Sequence, residues 1–408
     1  MIYQTYQAYE DSSRPLRMYS SAIVSALSRR PGAWGNEILS RVSAAHELLA
    51  LAGLSHKAPK FGITSIRLKD GEVKVDESVA YGTPFCSLLR FSKPYAGKLK
   101  EAQPKVLVIA PMSGHFATLL RGTVRTLLAD HEVYITDWHN PRDIPLDHGR
   151  FGVEEFVAHV IKFIEILGEG AHVVAVCQPT VAALAAVSLM ADENHPAQPR
   201  SMTLMAGPID TRINPTKVNE LAKSKPIEWF ERTLIGAVPD RHPGARRRVY
   251  PGFVQLSAFM NMNLERHIKA FADLYVHRVK GNTDKADAIR AFYEEYFATM
   301  DLSAEFYLET VSTIFQQHAL PRGEMTLFGR KVDPRAIRKT ALLTIEGEKD
   351  DICSIGQTVA AQDLCRGLRP YRKTHHVQTG VGHYGVFNGK RWENEIYPIV
   401  RGVIHMSS

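Results

Sequence analysis

The sequence predicts an α/β fold with a mostly parallel central sheet, helices on both faces and an inserted helical lid. Apolar runs typical of buried strands alternate with helical periods between residues 105 and 207, stop for about 130 residues, and resume at residue 341. Such alternation requires right-handed crossovers and a parallel sheet. The predicted parts are a helical extension (1–60), a first part of the core (61–210), the lid (211–340) and a second part of the core (341–408).

The first sixty residues have a helical pattern, and strands follow them. Residues 20–27 and 40–54 carry apolar side chains at helical spacing, which predicts a helix over each range. Asp70 and Gly71 separate two alternating stretches, which is the pattern of a β-hairpin. Two or three antiparallel strands are therefore expected between residues 61 and 93.

The remaining elements follow from hydrophobic periodicity. Strands are predicted over 106–111, 132–137, 171–176, 201–207, 341–351 and 375–378. Helices are predicted over 116–130, 153–167, 179–191, 263–279, 286–300, 355–368 and 391–404.

Composition excludes several classes of protein. Hydrophobic residues make up 45% and charged residues 23%, so the chain is not largely disordered. No run of eighteen apolar residues occurs, and the start lacks a basic and then apolar signal pattern, so neither a membrane span nor a secretory signal is expected. The four cysteines form no CxxC pair, so neither a zinc ribbon nor a disulfide framework is indicated, and an intracellular protein is expected.

The net charge of +7 is concentrated in the predicted lid. Residues 211–340 hold 21 Lys and Arg against 15 Asp and Glu, and Arg246, Arg247 and Arg248 are the densest basic spot. That run predicts either a solvated loop or contact with an anionic or polymeric surface. No nucleic-acid motif accompanies it, so nucleic acid is not expected as a partner. The many aromatic residues of the lid form either a helical core or the lining of an apolar channel.

The junction AVCQPT at residues 175–180 has the arrangement of a nucleophile elbow. Cys177 lies between a predicted buried strand and a helix of small residues, so its thiol would meet free N–H groups at a helix start. Ala175 and Pro179 replace the glycines of the usual pattern, and proline is tolerated in a first helical turn. A packed structural cysteine is the alternative interpretation.

The order of residues along the chain supports a catalytic interpretation. In α/β-hydrolases a nucleophile is followed by an acid after a late strand and then by a histidine. Asp350 follows the predicted strand at 341, and His383 lies between glycines after the last strand. A turn residue is the alternative for Asp350, and His375 and His376 compete with His383. An oxyanion hole is expected from the N–H of Gln178 and that of Met112 or Ser113, and the His115 side chain is an accessory candidate there.

Several segments resemble one family. VCQPT (176–180), TDWHNPRDIP (136–145), EGEKDDICSIGQT (346–358) and GVGHYGVFNGKRW (380–392) look like segments of the intracellular poly(3-hydroxybutyrate) depolymerases. FYLETVSTIFQQHALPRGEM (306–325) is similar to that family and, more loosely, to polyhydroxyalkanoate synthases. The resemblance spans roughly residues 60–406.

The resemblance implies a carboxylic ester hydrolase with the triad Cys177, Asp350 and His383 and with neither metal nor cofactor. It implies amorphous polyhydroxybutyrate in cytoplasmic storage granules as substrate and partner, and leaves a homo-oligomer open. Synthases typically carry Gly–Gly after the nucleophile and His after the acid, whereas this chain has Gln178–Pro179 and Asp351. A synthase-like acyltransferase or thioesterase and a non-catalytic granule-binding protein are the alternative functions.

Overall fold

The structure is a computed structural model that describes residues 2–28, 37–68, 71–94 and 103–408. Its strands are β1 (Ser65–Leu68), β2 (Gly71–Lys74), β3 (Asp76–Gly82), β4 (Cys86–Ser92), β5 (Lys105–Ile109), β6 (Glu132–Trp138), β7 (His172–Val176), β8 (Ser201–Met205), β9 (Gly236–Ala237), β10 (Arg248–Tyr250), β11 (Leu302–Ser303), β12 (Thr326–Leu327), β13 (Arg330–Lys331), β14 (Ala341–Gly347) and β15 (Lys373–Gln378). Its α-helices are α1 (Ile2–Ser28), α2 (Glu37–Leu51), α3 (Arg121–Leu127), α4 (Val153–Leu167), α5 (Pro179–Asp192), α6 (Lys217–Ser224), α7 (Ile227–Leu234), α8 (Gly252–Met262), α9 (Leu264–Val279), α10 (Thr283–Tyr296), α11 (Ala304–Glu309), α12 (Ala319–Arg322), α13 (Ala360–Leu364), α14 (Gly389–Arg391) and α15 (Tyr397–Ser407).

Eight strands form one sheet in the order β15-β14-β8-β7-β5-β6-β4-β3. Neighbours from β15 to β6 are parallel, whereas β4 is antiparallel to both β6 and β3. Every residue of β7, β8 and β14 is buried, as expected for parallel strands that are covered on both faces. The predicted mostly parallel sheet is confirmed.

Helices cover both faces of this sheet. The chain steps from β5 to β6 in one direction and then crosses back to β7 and β8 in the other. With right-handed crossovers, this order places α3 on one face and both α4 and α5 on the opposite face. Helix α15 shares the face of α3, since the His405 ring lies 5.9 Å from that of His131. The architecture is the α/β-hydrolase fold.

The segment before β5 holds four strands where two or three were predicted. β1 and β2 pair as an antiparallel hairpin, and Asp70 of the predicted turn lies outside the described residues. β3 and β4 instead extend the main sheet at its edge. A side-chain turn at Thr83 joins them, because its hydroxyl oxygen accepts the N–H groups of Phe85 and Cys86.

The helix predicted over 355–368 is largely wrong, since only Ala360–Leu364 is helical. Glu346 at the end of β14 is buried, and its carboxylate accepts the N–H groups of Gly356, Thr358 and Val359. Gly356 has a φ of +102°, outside the helical region. The backbone therefore wraps around a buried charge before it can begin a helix.

Helices α6 to α12 occupy the chain between β8 and β14, and α9 and α10 confirm the helices predicted over 263–279 and 286–300. The N-terminal helices pack on this group. A buried ion pair joins Glu47 of α2 to Arg278 of α9 at 2.6 Å, and Tyr3 of α1 donates to Asp301 at 2.8 Å. The division of the chain into four parts at residues 60, 210 and 340 stays a prediction.

Candidate active site

The backbone of Cys177 makes a sharp turn between β7 and α5. Its φ is +65°, in the left-handed region that residues other than glycine seldom adopt, and such strain is common at functional sites. The Cys177 N–H donates to the carbonyl of Met205 at 2.8 Å, which fixes the turn against the end of β8. The conformation predicted for a nucleophile elbow is therefore present at this position.

The residues around the turn explain why it can form. Pro179 begins α5, where its missing N–H costs no helical hydrogen bond. Gly207 lies beside the first turn of α5, and a Cβ there would stand only 1.8 Å from the Thr180 hydroxyl oxygen. The absence of a side chain at residue 207 thus lets α5 approach the loop after β8.

His383 and Asp350 lie together at the ends of β15 and β14. The His383 Nδ1–H donates to Asp350 Oδ2 at 2.8 Å, and both residues are buried. The other oxygen, Oδ1, accepts the N–H groups of Ile352 at 2.9 Å and Cys353 at 2.8 Å. Asp350 therefore acts as a turn residue through one oxygen and orients His383 through the other, so the two interpretations of this residue do not exclude each other.

The rival candidates lie elsewhere. His375 and His376 belong to β15: the former contacts Thr344 at 2.9 Å, and the latter contacts Gln378 at 3.0 Å. Asp351, next to the acid candidate, is exposed and accepts only a long contact of 3.5 Å from Asn263. Of the three histidines that competed in the sequence, the structure brings His383 to Asp350.

Electrostatics favour a thiolate at Cys177. A side-chain hydrogen bond with Cys353 is the largest cause that lowers the Cys177 pKa, and His383 and the N–H of Gln178 lower it further, against desolvation. Desolvation alone would lower the pKa of His383, but Asp350 and Cys177 outweigh it and hold that pKa well above its usual value. Opposite shifts of this kind are those of a thiolate–imidazolium pair.

The pKa values of the other three cysteines are shifted in the opposite direction, above their usual value. The hydrogen bond to Cys177 and desolvation raise the pKa of Cys353, and burial raises the pKa of Cys86 and brings that of Cys365 to about 12. All three are buried, whereas Cys177 is half-buried. Cys353 was not predicted from the sequence as a neighbour of Cys177, although its place three residues after Asp350 was an available signal.

We expect iodoacetamide to modify Cys177 before Cys86, Cys353 or Cys365. The thiolate is the reacting species, and the lowered pKa keeps Cys177 ionised at pH values where thiols with a raised pKa are protonated. As the pH falls through the lowered pKa of Cys177, its rate of modification should fall too. Peptide mapping across a pH series measures this rate, and another cysteine modified first would contradict the assignment.

The loop after β5 supplies N–H groups near this site. In the described backbone, the N–H groups of Met112 and Ser113 donate to no carbonyl, and Gly114 has a φ of +83°. These residues and Gln178 remain candidates for the oxyanion hole. His115 is buried, which lowers its pKa to about 4, and its ring lies 5.0 Å from that of Tyr296. A neutral, packed ring is thus expected there at neutral pH.

A cavity of about 830 Å³ extends from His383 to the helices between β8 and β14. Its walls include five aromatic residues, Phe259, Phe292, Tyr293, Tyr296 and Tyr384, together with aliphatic and charged side chains. Tyr293 and Tyr296 also pack with Leu256 and Phe297 in a small core. The aromatic residues of this segment therefore serve both purposes weighed from the sequence, as core and as the lining of an apolar space.

The basic run of the predicted lid is not a surface patch as a whole. Arg247 is buried and donates to the carbonyls of Ile144 at 2.9 Å and Gly149 at 2.8 Å. Arg246 and Arg248 pair with Asp240 and Glu231. Arg247 is therefore neither part of a solvated loop nor available for contact with a polymer. Its side chain instead anchors the segment after β6.

In the described ranges no group of three or more His, Cys, Asp or Glu side chains is arranged to hold a metal ion. None of the helices formed by those residues has both the length and the apolar character that crossing a bilayer demands.

Residues 206–408 match the family model described as PHB de-polymerase C-terminus. No curated protein matches the chain. Solved structures that resemble it include a 2-hydroxy-6-oxo-6-phenylhexa-2,4-dienoate hydrolase from Rhodococcus sp. strain RHA1, with 13% identity, a TM-score of 0.42, and coverage of 82% of this chain and 99% of that one.

Two further solved structures are similar at the same level. One is the thioesterase domain from the curacin biosynthetic pathway, with 11% identity, a TM-score of 0.43, and coverage of 81% of this chain and 99% of that one. The other is a thermophilic esterase from Thermogutta terrifontis, with 12% identity, a TM-score of 0.40, and coverage of 83% and 97%.

Proposed function

Because the chain belongs to the PHB depolymerase family through residues 206–408, we propose that it hydrolyses the backbone esters of polyhydroxybutyrate with Cys177 as nucleophile. One observation carries the proposal: Cys177 stands on a left-handed turn in interaction with His383, and His383 is held by Asp350 at 2.8 Å. Family membership supports the more general assignment of the chain as a hydrolase of the esterase kind.

The proposed mechanism follows from these contacts. His383 stabilises the Cys177 thiolate as an ion pair, and Asp350 fixes the ring so that Nε2 faces the sulfur. The thiolate attacks an ester carbonyl, and the tetrahedral oxyanion is held by the N–H of Gln178 and that of Met112 or Ser113. The alcohol end of the cleaved chain leaves with a proton from His383.

The second half of the reaction releases the acyl group. Water, deprotonated by His383, attacks the thioester on Cys177 and yields a hydroxyacid or oligomer. A thiol acceptor in place of water would give thiolysis instead. The aromatic cavity beside His383 supports an apolar substrate, since a polyester chain presents methyl groups between its esters. In this proposal the protein works at the surface of storage granules.

Release of 3-hydroxybutyrate from amorphous polymer tests the proposal. The purified protein should release monomer or oligomers from amorphous granules, and the Cys177→Ala variant, as matched control, should not. Incorporation of 3-hydroxybutyryl-CoA into polymer without release would instead identify a synthase-like acyltransferase. Equal granule binding by both proteins with no release by either would identify a binding protein, and each of these last two results contradicts the proposal.

A further inference from the structure

Two cationic side chains without a partner line the cavity beside His383. They are Arg266 of α9 and Lys349 of the loop after β14, and among the described residues neither forms a side-chain hydrogen bond or ion pair. The arginines further along α9 and α10 differ, because Arg278 and Arg290 are each paired with carboxylates. The guanidinium of Arg266 is therefore available to an anionic group that enters the cavity.

A single carboxylate, that of Asp351, is found among the described residues of the lining. It accepts a contact of 3.5 Å from Asn263, and neither Arg266 nor Lys349 lies within ion-pair distance of it. The charge of His383 is balanced separately, by its own acid partner. The lining thus has an excess of positive charge in a cavity that also has aromatic walls, where an ion pair is less weakened by water than on an open surface.

The position of Arg266 relative to the aromatic wall agrees with this. Its charge acts on Tyr293 and Tyr296, where it opposes the desolvation that raises the pKa of each phenol. Both rings line the same cavity as the guanidinium. A ligand held at this place would therefore meet a cation and apolar rings together.

Polyhydroxybutyrate has one kind of ionised group. The ester and methyl groups along the chain are uncharged, whereas the terminal carboxylate is an anion at neutral pH. A guanidinium binds a carboxylate through two parallel N–H···O bonds, and the aromatic rings suit the apolar remainder of the chain. A cation in this cavity therefore distinguishes the carboxyl end of the polymer from its interior.

We propose that Arg266 binds the terminal carboxylate of the polyester, so that the enzyme cleaves near the carboxyl end and prefers oligomers that are free acids. This inference rests on the proposed function, because it assigns which part of the polymer occupies the same site. As the ester C–O bond breaks, the acyl part stays on Cys177 and the alcohol oxygen takes a proton from His383. The fragment that leaves is the one with the carboxyl end, so short hydroxyacids are the expected products.

Calorimetric titration of the Cys177→Ala protein tests binding without turnover. The ligands are the linear trimer of 3-hydroxybutyrate as the free acid and as its methyl ester, which differ by one charge. The free acid should bind about tenfold more tightly at pH 7 and low salt, as expected for a charge-assisted pair, and added salt should reduce this preference. Equal affinity for the two ligands, or no binding of either, would overturn the proposal.

Further variants in the same Cys177→Ala background assign the effect to one side chain. Arg266→Gln should bring the two affinities to within about twofold, whereas Lys269→Gln should keep the preference. Lys269 is exposed on the same helix, pairs with Asp273 at 3.1 Å and is not among the described residues that line the cavity. Asp351→Asn removes the lining carboxylate and should increase the preference. A preference that survives Arg266→Gln would refute the role of Arg266.

Turnover separates this inference from the proposed function. With the native nucleophile, the kcat/KM ratio of free acid to methyl ester should be about ten, and Arg266→Gln should remove it mainly through a higher KM for the acid. Equal release of 3-hydroxybutyrate from polymer with free and with methylated carboxyl ends would refute end recognition alone. Preferential binding of the free acid by a protein that hydrolyses no polymer would refute the proposed function alone.

Discussion

Replacing Cys177 with alanine should lower kcat for ester hydrolysis by roughly 10⁴–10⁶, as expected for loss of a catalytic nucleophile. The methyl group of alanine cannot form the acyl-enzyme, so what remains is the contribution of binding and of the oxyanion donors. The measurement is the steady-state release of 3-hydroxybutyrate, together with a soluble ester substrate that does not depend on granule contact.

Two variants serve as controls for this experiment. Cys177→Ser should keep the fold yet lose much of the rate, because a hydroxyl beside His383 has no low-pKa anion equivalent to the thiolate. Cys86→Ala removes a buried thiol of raised pKa from β4, which is paired between β6 and β3, and should retain the native kcat. Turnover by Cys177→Ala near the native rate would remove this residue from the mechanism.

The parts of the fold predicted best are those whose pattern is local and repeated. Helix α4 and strands β6 and β7 lie within a residue of their predicted bounds, because α4 has apolar residues at helical spacing and the two strands are short runs of largely apolar residues. The α/β order then fixes the rest of the core, since crossovers have one hand. The places of Cys177, Asp350 and His383 after their strands follow from the same order, because parallel strands end at one edge of the sheet.

What the sequence left unpredicted depends on contacts between distant segments. Most of the helix predicted over 355–368 is replaced by backbone whose N–H groups bind the buried carboxylate of Glu346. The sequence pattern does not indicate that this carboxylate is buried. Arg247 belongs to a basic run but is buried against carbonyls about a hundred residues away in the chain. Cys353 was assigned no role, because its proximity to Cys177 exists only after β7 and β14 join one sheet.

The second large effect is expected for Asp350→Asn, which should lower kcat by about 10⁴, as in hydrolases whose orienting carboxylate becomes an amide. Asparagine retains an oxygen for the N–H groups of Ile352 and Cys353, so the turn should survive. Its amide group, however, would donate to His383 Nδ1, where the carboxylate accepts. The ring proton would then lie on Nε2, the nitrogen that must receive the proton of Cys177.

Loss of the carboxylate charge adds to this tautomer effect. Asp350 is the first of the groups that raise the His383 pKa against desolvation, so the variant should hold less imidazolium and, through it, less thiolate at Cys177. The pH at which iodoacetamide modification of Cys177 reaches half its plateau should therefore move upward along with the loss of kcat. A purely structural role for Asp350 would lower the fraction of folded protein without moving that midpoint.

Asp351→Asn is the matched control, because it removes the same charge one residue further along the chain. Asp351 is exposed and, among the described residues, forms neither a hydrogen bond nor an ion pair with His383, although both line the cavity. The kcat of this variant should therefore change less than about tenfold, and its alkylation midpoint should stay in place. If Asp351→Asn abolished hydrolysis while Asp350→Asn preserved it, the acid would have been assigned to the wrong residue. Both variants remove one carboxylate charge and replace one oxygen by an amide nitrogen. A loss of kcat and a shifted alkylation midpoint in Asp350→Asn alone would therefore identify Asp350 as the carboxylate that orients His383.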